Sequence, residues 1–133
     1  MTTEQNKQVV IRFNKEFFES GNTEITKELL ADGFVNHTAP PNAPTGASVM
    51  IQFITGFHKG FSNITVQIYE VLGEGDKVSL RKVITGTHTG EFMGKAPTGK
   101  IVEMNVIEID ILKDGKITDH WSINDFMQVV QGL

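Results

Sequence analysis

The sequence predicts an α+β fold, with a curved antiparallel sheet wrapped around three N-terminal helices. Two observations carry this. Up to about residue 60 the apolar residues recur at helical spacing, and beyond it they alternate with a period of two. The alternating segments are joined by short Gly- and Asp-containing connections rather than helices, so helices come first and a meander of strands follows. A strongly twisted sheet can curl around such helices, and one face of each strand then lines a cone.

Residues 3–20 form the first expected helix. Thr2 with Gln5 fits a capping box, and Val9, Phe13 and Phe17 fall on one stripe, widened by Val10 and Phe18. Gly21-Asn22 ends it. A short second helix is expected over 23–31, from Ile25, Leu29 and Leu30, followed by an Asp32-Gly33 turn and a short strand over Phe34-Val35-Asn36-His37. Pro40, Pro41 and Pro44 exclude regular structure from the loop that follows. The third helix runs from about Ala47 to Lys59, with Met50, Phe53, Ile54 and Phe57 on its apolar side. Ile64, Val66 and Ile68 mark the first long strand, and Gly73 to Asp76 turn the chain. Further strands are expected over 77–88 and 100–112, and Asp114-Gly115 makes a tight hairpin into a last strand. Phe126, Met127, Val129 and Val130 suggest a final helical turn. No linker or repeat interrupts this, so residues 1–133 read as one domain.

Composition narrows the function. A net charge of −4 without any basic run argues against nucleic-acid binding. No apolar window is long enough to span a membrane. The polar N-terminus lacks an apolar signal core, so the cytoplasm is the expected compartment. With no cysteine there is no disulfide, thiolate nucleophile or Cys-type metal site. Nine Phe against one Trp and one Tyr suit either a packed core or a greasy pocket wall. Phe17, Phe53, Phe57 and Phe92 are the candidates for that wall.

Four histidines are the main candidates for proton transfer, because imidazole both donates and accepts near neutral pH. His58 falls near a helix C-terminus and reads as a surface residue. His37, His88 and His120 lie on or beside strands and converge only if the sheet curls. Their spacing gives no support for a metal site. Nucleotide-binding and serine-hydrolase motifs are absent, and Ser122 is too far along the strand from His120 to form a nucleophile pair. Arg81 reads as half of a cross-strand salt bridge on the outer face, with Glu103, Glu108 or Asp110 as partner.

Four stretches together resemble the SnoaL-like polyketide cyclases, also called predicted ester cyclases, within the nuclear-transport-factor-2-like superfamily of cone-shaped α+β barrels. They are Phe34 to His37, Gly86 to Gly94, Ala96 to Lys100, and Asp114 to Ile117 with Asp119-His120-Trp121. The resemblance implies an internal apolar pocket and ring closure on a small carbonyl compound by acid-base chemistry, with no cofactor. In the family an aspartate on the last strand is the acid/base; alignment on Asp114-Gly115-Lys116-Ile117 places it where this chain has Ser122. Serine has no proton to exchange near neutral pH. His120, His88 and Asn36 match family pocket positions, and His120 is the group left to transfer protons. Asn36, His37 and His88 would then orient or polarise an enolate oxygen, with Ser122 beside the substrate. The alternative is a non-catalytic small-ligand-binding protein that kept the cone and lost the catalyst. The last strand is expected to turn Thr118, His120, Ser122 and Asn124 inward and Ile117, Trp121 and Ile123 outward. Superfamily members commonly cover such an outer face with a second subunit, so a homodimer through Trp121 is expected.

Overall fold

A computed structural model describes residues 1–133. Helix α1 spans Thr3–Phe13 and continues without a break as a π-helical segment, Asn14–Glu19. The capping box forms as its residues predict: Gln5 N–H donates to Thr2 Oγ1 at 3.1 Å, and Thr2 N–H donates to Gln5 Oε1 at 2.8 Å. The second helix is shorter than its apolar pattern implies. A 3-10 turn, Thr23–Ile25, leads into α2, Thr26–Leu29, and the chain is already extended at Leu30. Strand β1 is correspondingly longer, Leu30–Asn36, because the Asp32-Gly33 pair lies within the strand instead of turning it. The remaining elements are α3 (Ala47–Gly60), β2 (Phe61–Glu74), β3 (Lys77–His88), β4 (Ile101–Lys113), β5 (Lys116–Asn124) and α4 (Phe126–Gln131).

The sheet order is β1-β5-β4-β3-β2. β2 to β5 form the expected antiparallel meander, but β1 runs parallel to β5, so the sheet is mixed. The cone is open: β1 and β2 are unpaired edges. An open edge exposes backbone hydrogen-bonding groups, and the π-helical segment covers some of β2's. Lys15 Nζ donates to the Val66 carbonyl at 2.6 Å, and Val66 N–H donates to Glu19 Oε2 at 2.7 Å.

In β4 the even-numbered residues from Val102 to Leu112 are buried. That parity puts Glu108 and Asp110 inside. Asp114 and Gly115 both have positive φ, as a two-residue hairpin turn requires. β5 departs from simple alternation. The register slips between Ile111 and Leu112, which pair with Asp119 and Ile117 and leave Thr118 as an extra residue. Ile117 therefore points into the core instead of outward, while His120 still faces in and Ile123 out.

The core has two apolar clusters, one around Val10, Phe17, Leu29, Ile54 and Leu80, the other around Phe57, Phe61, Ile84, Phe92 and Val106. Phe18 and Phe53 touch both. No helix is long and apolar enough to cross a membrane.

Candidate active site

Between the helices and the concave face of the sheet lies a cavity of about 810 Å³. Its walls are of two kinds. Phe18, Phe53, Phe92, Met104, Val106 and Phe126 make an apolar side. Asn36 and Thr38, with His120, Ser122 and Asn124 of β5, make a polar side. Strand register assembles the second. Asn36 pairs with His120 across β1 and β5, and His120 and Ser122 pair with Asp110 and Glu108 across β5 and β4.

The polar side is short of free acceptors. Asn36 Oδ1 receives both the N–H and the hydroxyl of Thr38, each at 3.1 Å. Asn124 Oδ1 receives Phe126 N–H at 3.1 Å. Thr38 Oγ1 receives Ser122 N–H at 3.1 Å. Those bonds fix the amide orientations and leave the Asn36 and Asn124 NH₂ groups as donors beside the cavity. Asn124 Nδ2 has a distant protein partner, Ser122 Oγ at 3.5 Å.

Beneath this surface lies a buried charged cluster, which reaches the cavity at Lys82 and His120. His120 Nδ1 is 2.7 Å from Asp110 Oδ1 and 3.4 Å from Glu108 Oε2. Glu108 Oε1 is 2.9 Å from Lys82 Nζ. Lys82 also donates to Asn14 Oδ1 at 2.5 Å and sits 3.7 Å above the centre of the Phe18 ring. All four ionisable side chains are 8% exposed or less, so each is sensitive to its neighbours' charge. Burial would raise the Glu108 pKa, but the charges of Lys82 and His120 hold it down to about 2. Burial and the neighbouring Glu108 charge push Asp110 up to about 7, against the pull of His120. Asp110 Oδ2 is buried without a partner, which suits a carboxyl that stays protonated into the neutral range. Burial alone would lower the His120 pKa; its hydrogen bond to Asp110 and the charges of Asp110 and Glu108 outweigh that and raise it. Asp110 and His120 together therefore keep a proton on Nδ1 or on the carboxyl near neutral pH. The other ring nitrogen, Nε2, has no protein partner, and the ring lines the cavity.

Donor atoms of Glu108, Asp110 and His120 all lie within 4.8 Å of one another, close enough for one cation to bridge. The donor set does not suit a metal ion, because the Lys82 ammonium already occupies that place beside Glu108.

Of the residues singled out from the sequence for the pocket, His120, Asn36, Ser122, Asn124, Phe53 and Phe92 line the cavity. The others do not. His88 is fully buried at the far end of β3, stacked on Phe61, with Nδ1 accepting from Thr98 N–H at 3.2 Å. It holds the loop after β3 and is not brought near His120. His37 lies beyond the end of β1 on the outer side, stacked on Trp121 at 4.2 Å, with Nε2 2.8 Å from Asp119. That contact holds the Asp119 carboxyl below its ordinary range. Phe17 and Phe57 are core residues, at 0% and 1% exposure. His58 is half-buried rather than a free surface group, with Nε2 against the Phe18 carbonyl at 2.9 Å. Arg81 makes its salt bridge on the outer face, but with Glu70 of β2 at 2.5 Å; Glu108 and Asp110 face the opposite side.

Sequence reasoning missed Lys82, Asn14, Glu108 and Asp110 as members of the site. The signal present was the alternation of β4, in which both acids share parity with Val102, Met104 and Val106.

The fold is that of the nuclear-transport-factor-2-like class. A family model for SnoaL-like polyketide cyclases matches residues 8–133, and the chain belongs to that family. IdmH, a candidate polyketide cyclase from Streptomyces antibioticus, is 30% identical, with 96% of this chain and 99% of that one covered and a TM-score of 0.79. A SnoaL-like protein from Jannaschia sp. CCS1 is 26% identical over 97% of this chain and 91% of that one, with a TM-score of 0.80. AclR, a candidate hydroxylase from Streptomyces galilaeus, shares the fold at a TM-score of 0.84, with 24% identity over 98% and 96% of the two chains. No curated protein matches the chain.

Proposed function

We propose that this chain is an enzyme that performs acid-base chemistry on a small, largely apolar carbonyl compound held in the cavity, with His120 Nε2 as the proton-transferring atom. The observation that carries this reading is the clamp on His120: Nδ1 is engaged by Asp110 while the ring lines a cavity whose polar wall offers donors. A donor wall favours a ligand rich in acceptors, and carbonyl or enolate oxygens are such acceptors.

In the base form, Nε2 takes a proton from the carbon beside a carbonyl. The resulting enolate oxygen is stabilised by the Asn36 NH₂. The enolate carbon attacks a second carbonyl of the same molecule, forming a C–C bond. Nε2–H then returns the proton to the new alkoxide. No atom is gained or lost, so the step needs no redox partner. This route uses His120 where the family uses the aspartate replaced here by Ser122.

The test is a mass-spectrometric search for a copurified ligand, followed by turnover of that compound by wild type and His120→Gln. General acid-base catalysis contributes about 10²- to 10⁴-fold, so a loss of that size is expected. Unchanged turnover would reject His120 as the catalyst, and a bound compound that is never converted would favour a non-catalytic carrier.

Assembly belongs to the same reading. Ile109 pairs with Trp121 and Ile107 with Ile123 across β4 and β5 on the outer face, all four exposed. Such a patch is a poor water surface, and it supports a homodimer formed sheet to sheet through Trp121.

A further inference from the structure

Lys82 is the one lysine of the buried cluster, and it also lines the cavity. Glu108, Asn14 and the Phe18 ring surround its ammonium. Asn14 is itself held in place: Nδ2 donates to the Val10 carbonyl at 3.0 Å, so the amide can present only its oxygen to Lys82. Asn14 is completely buried and begins the π-helical segment, which also carries Phe18. Two neighbours of Lys82 thus come from one irregular helical turn, a kind of feature often found at functional sites.

The consequence runs through Glu108. One of its oxygens faces Lys82 and the other faces His120 Nδ1. We infer that Lys82 is a positioning residue: clamped by Asn14 and Phe18, it keeps Glu108 anionic and turned toward the imidazole, so that Asp110, not Glu108, is the carboxyl that exchanges a proton with His120. The inference rests on the proposed role of His120 and adds the device that sets its proton. Other groups around the ring are neutral: Asn36 from β1, Ser122 and Asn124 from β5, and Phe53 from α3. Charged Lys59 and Glu91 also line the cavity but are exposed.

Without the ammonium, two carboxylates face one imidazole and the cluster takes up a proton to restore balance. Glu108 then competes for it, and the imidazolium survives to higher pH. Imidazole ¹⁵N NMR of the ligand-free protein reads this directly, in wild type, Lys82→Met, Lys82→Arg and Asn14→Leu. The expected result is an upward shift of the His120 titration in Lys82→Met, a return toward wild type in Lys82→Arg, and a smaller upward shift in Asn14→Leu, which keeps the charge and loosens its seat. An unmoved His120 titration in folded Lys82→Met would overturn the inference. If Lys82→Met does not fold, Asn14→Leu decides: an unmoved midpoint there also overturns it. None of these readings uses turnover, so they are independent of the His120→Gln assay that decides the proposed chemistry. Where turnover is available, Lys82→Met should lose about tenfold in kcat near neutral pH with KM nearly unchanged, well short of the loss from removing the acid-base group itself.

Discussion

Replacing Glu108 with Gln removes the charge that faces Lys82 while nearly keeping its shape. The side chains are 1% and 2% exposed and 2.9 Å apart. At an effective dielectric of about 20, their attraction is about 6 kcal/mol. Desolvating the two ions costs several kcal/mol each, so the intact pair contributes little net stability, but orphaning either partner costs about 3–5 kcal/mol. Glu108→Gln and Lys82→Met should therefore each lose about 3–5 kcal/mol, a large share of a typical domain's stability. The double variant should lose far less than the sum, since it removes both buried charges, with a coupling of at least about 2 kcal/mol. Urea unfolding at pH 7, followed by circular dichroism, measures all four corners of the cycle. Strictly additive losses, or a single-variant loss below about 1 kcal/mol, would refute the claim that the two ions depend on each other.

The same cluster sets a pH dependence of stability. Glu108, lowered to about 2, contributes stability that is complete above its unfolded value of 4.5 and lost as pH falls through about 2. Asp110 has the opposite sign: raised from 3.8 to about 7, its contribution is complete below 3.8 and lost as pH rises through about 7. His120, also raised, contributes below 6.5 and loses that contribution as pH rises through its folded value. The urea midpoint should thus fall from pH 5 to pH 8, and Asp110→Asn should flatten that fall; a rising midpoint would contradict the assignment. His88→Gln should lower stability by about 1–3 kcal/mol, through its tie to Thr98, yet leave the His120 NMR titration unchanged. Ile123→Glu, on a residue 82% exposed, should leave the circular dichroism spectrum intact and convert a sedimenting dimer to monomer; a species unchanged by the substitution would argue against the sheet-to-sheet interface.

Local chemistry made much of the fold legible. The Thr2/Gln5 capping box, the Asp114-Gly115 turn and the period-two strands are each decided within a few residues, and each forms where its sequence places it. The misreadings arise where a longer-range effect wins. Residues Leu30 to Gly33 read as the end of a helix and a turn, but parallel pairing with β5 draws them into a strand. Ile117 reads as outward because alternation was carried through Thr118, and a bulge cannot be seen in one strand without its partner. His37, His88 and His120 look equivalent along the chain. One ends on the outer side, one in the core beneath a loop and one at the cavity.

By itself, the sequence determined the order of elements, the apolar faces and the family, because these depend on short-range periodicity and on residue identity. Tertiary structure alone decided which polar side chains meet. Asn14, Lys82, Glu108, Asp110 and His120 come from a helix and three strands, and the curvature of the sheet closes those separations to hydrogen-bonding distance. Their protonation follows from that proximity and from the exclusion of water, neither of which is a property of any one segment.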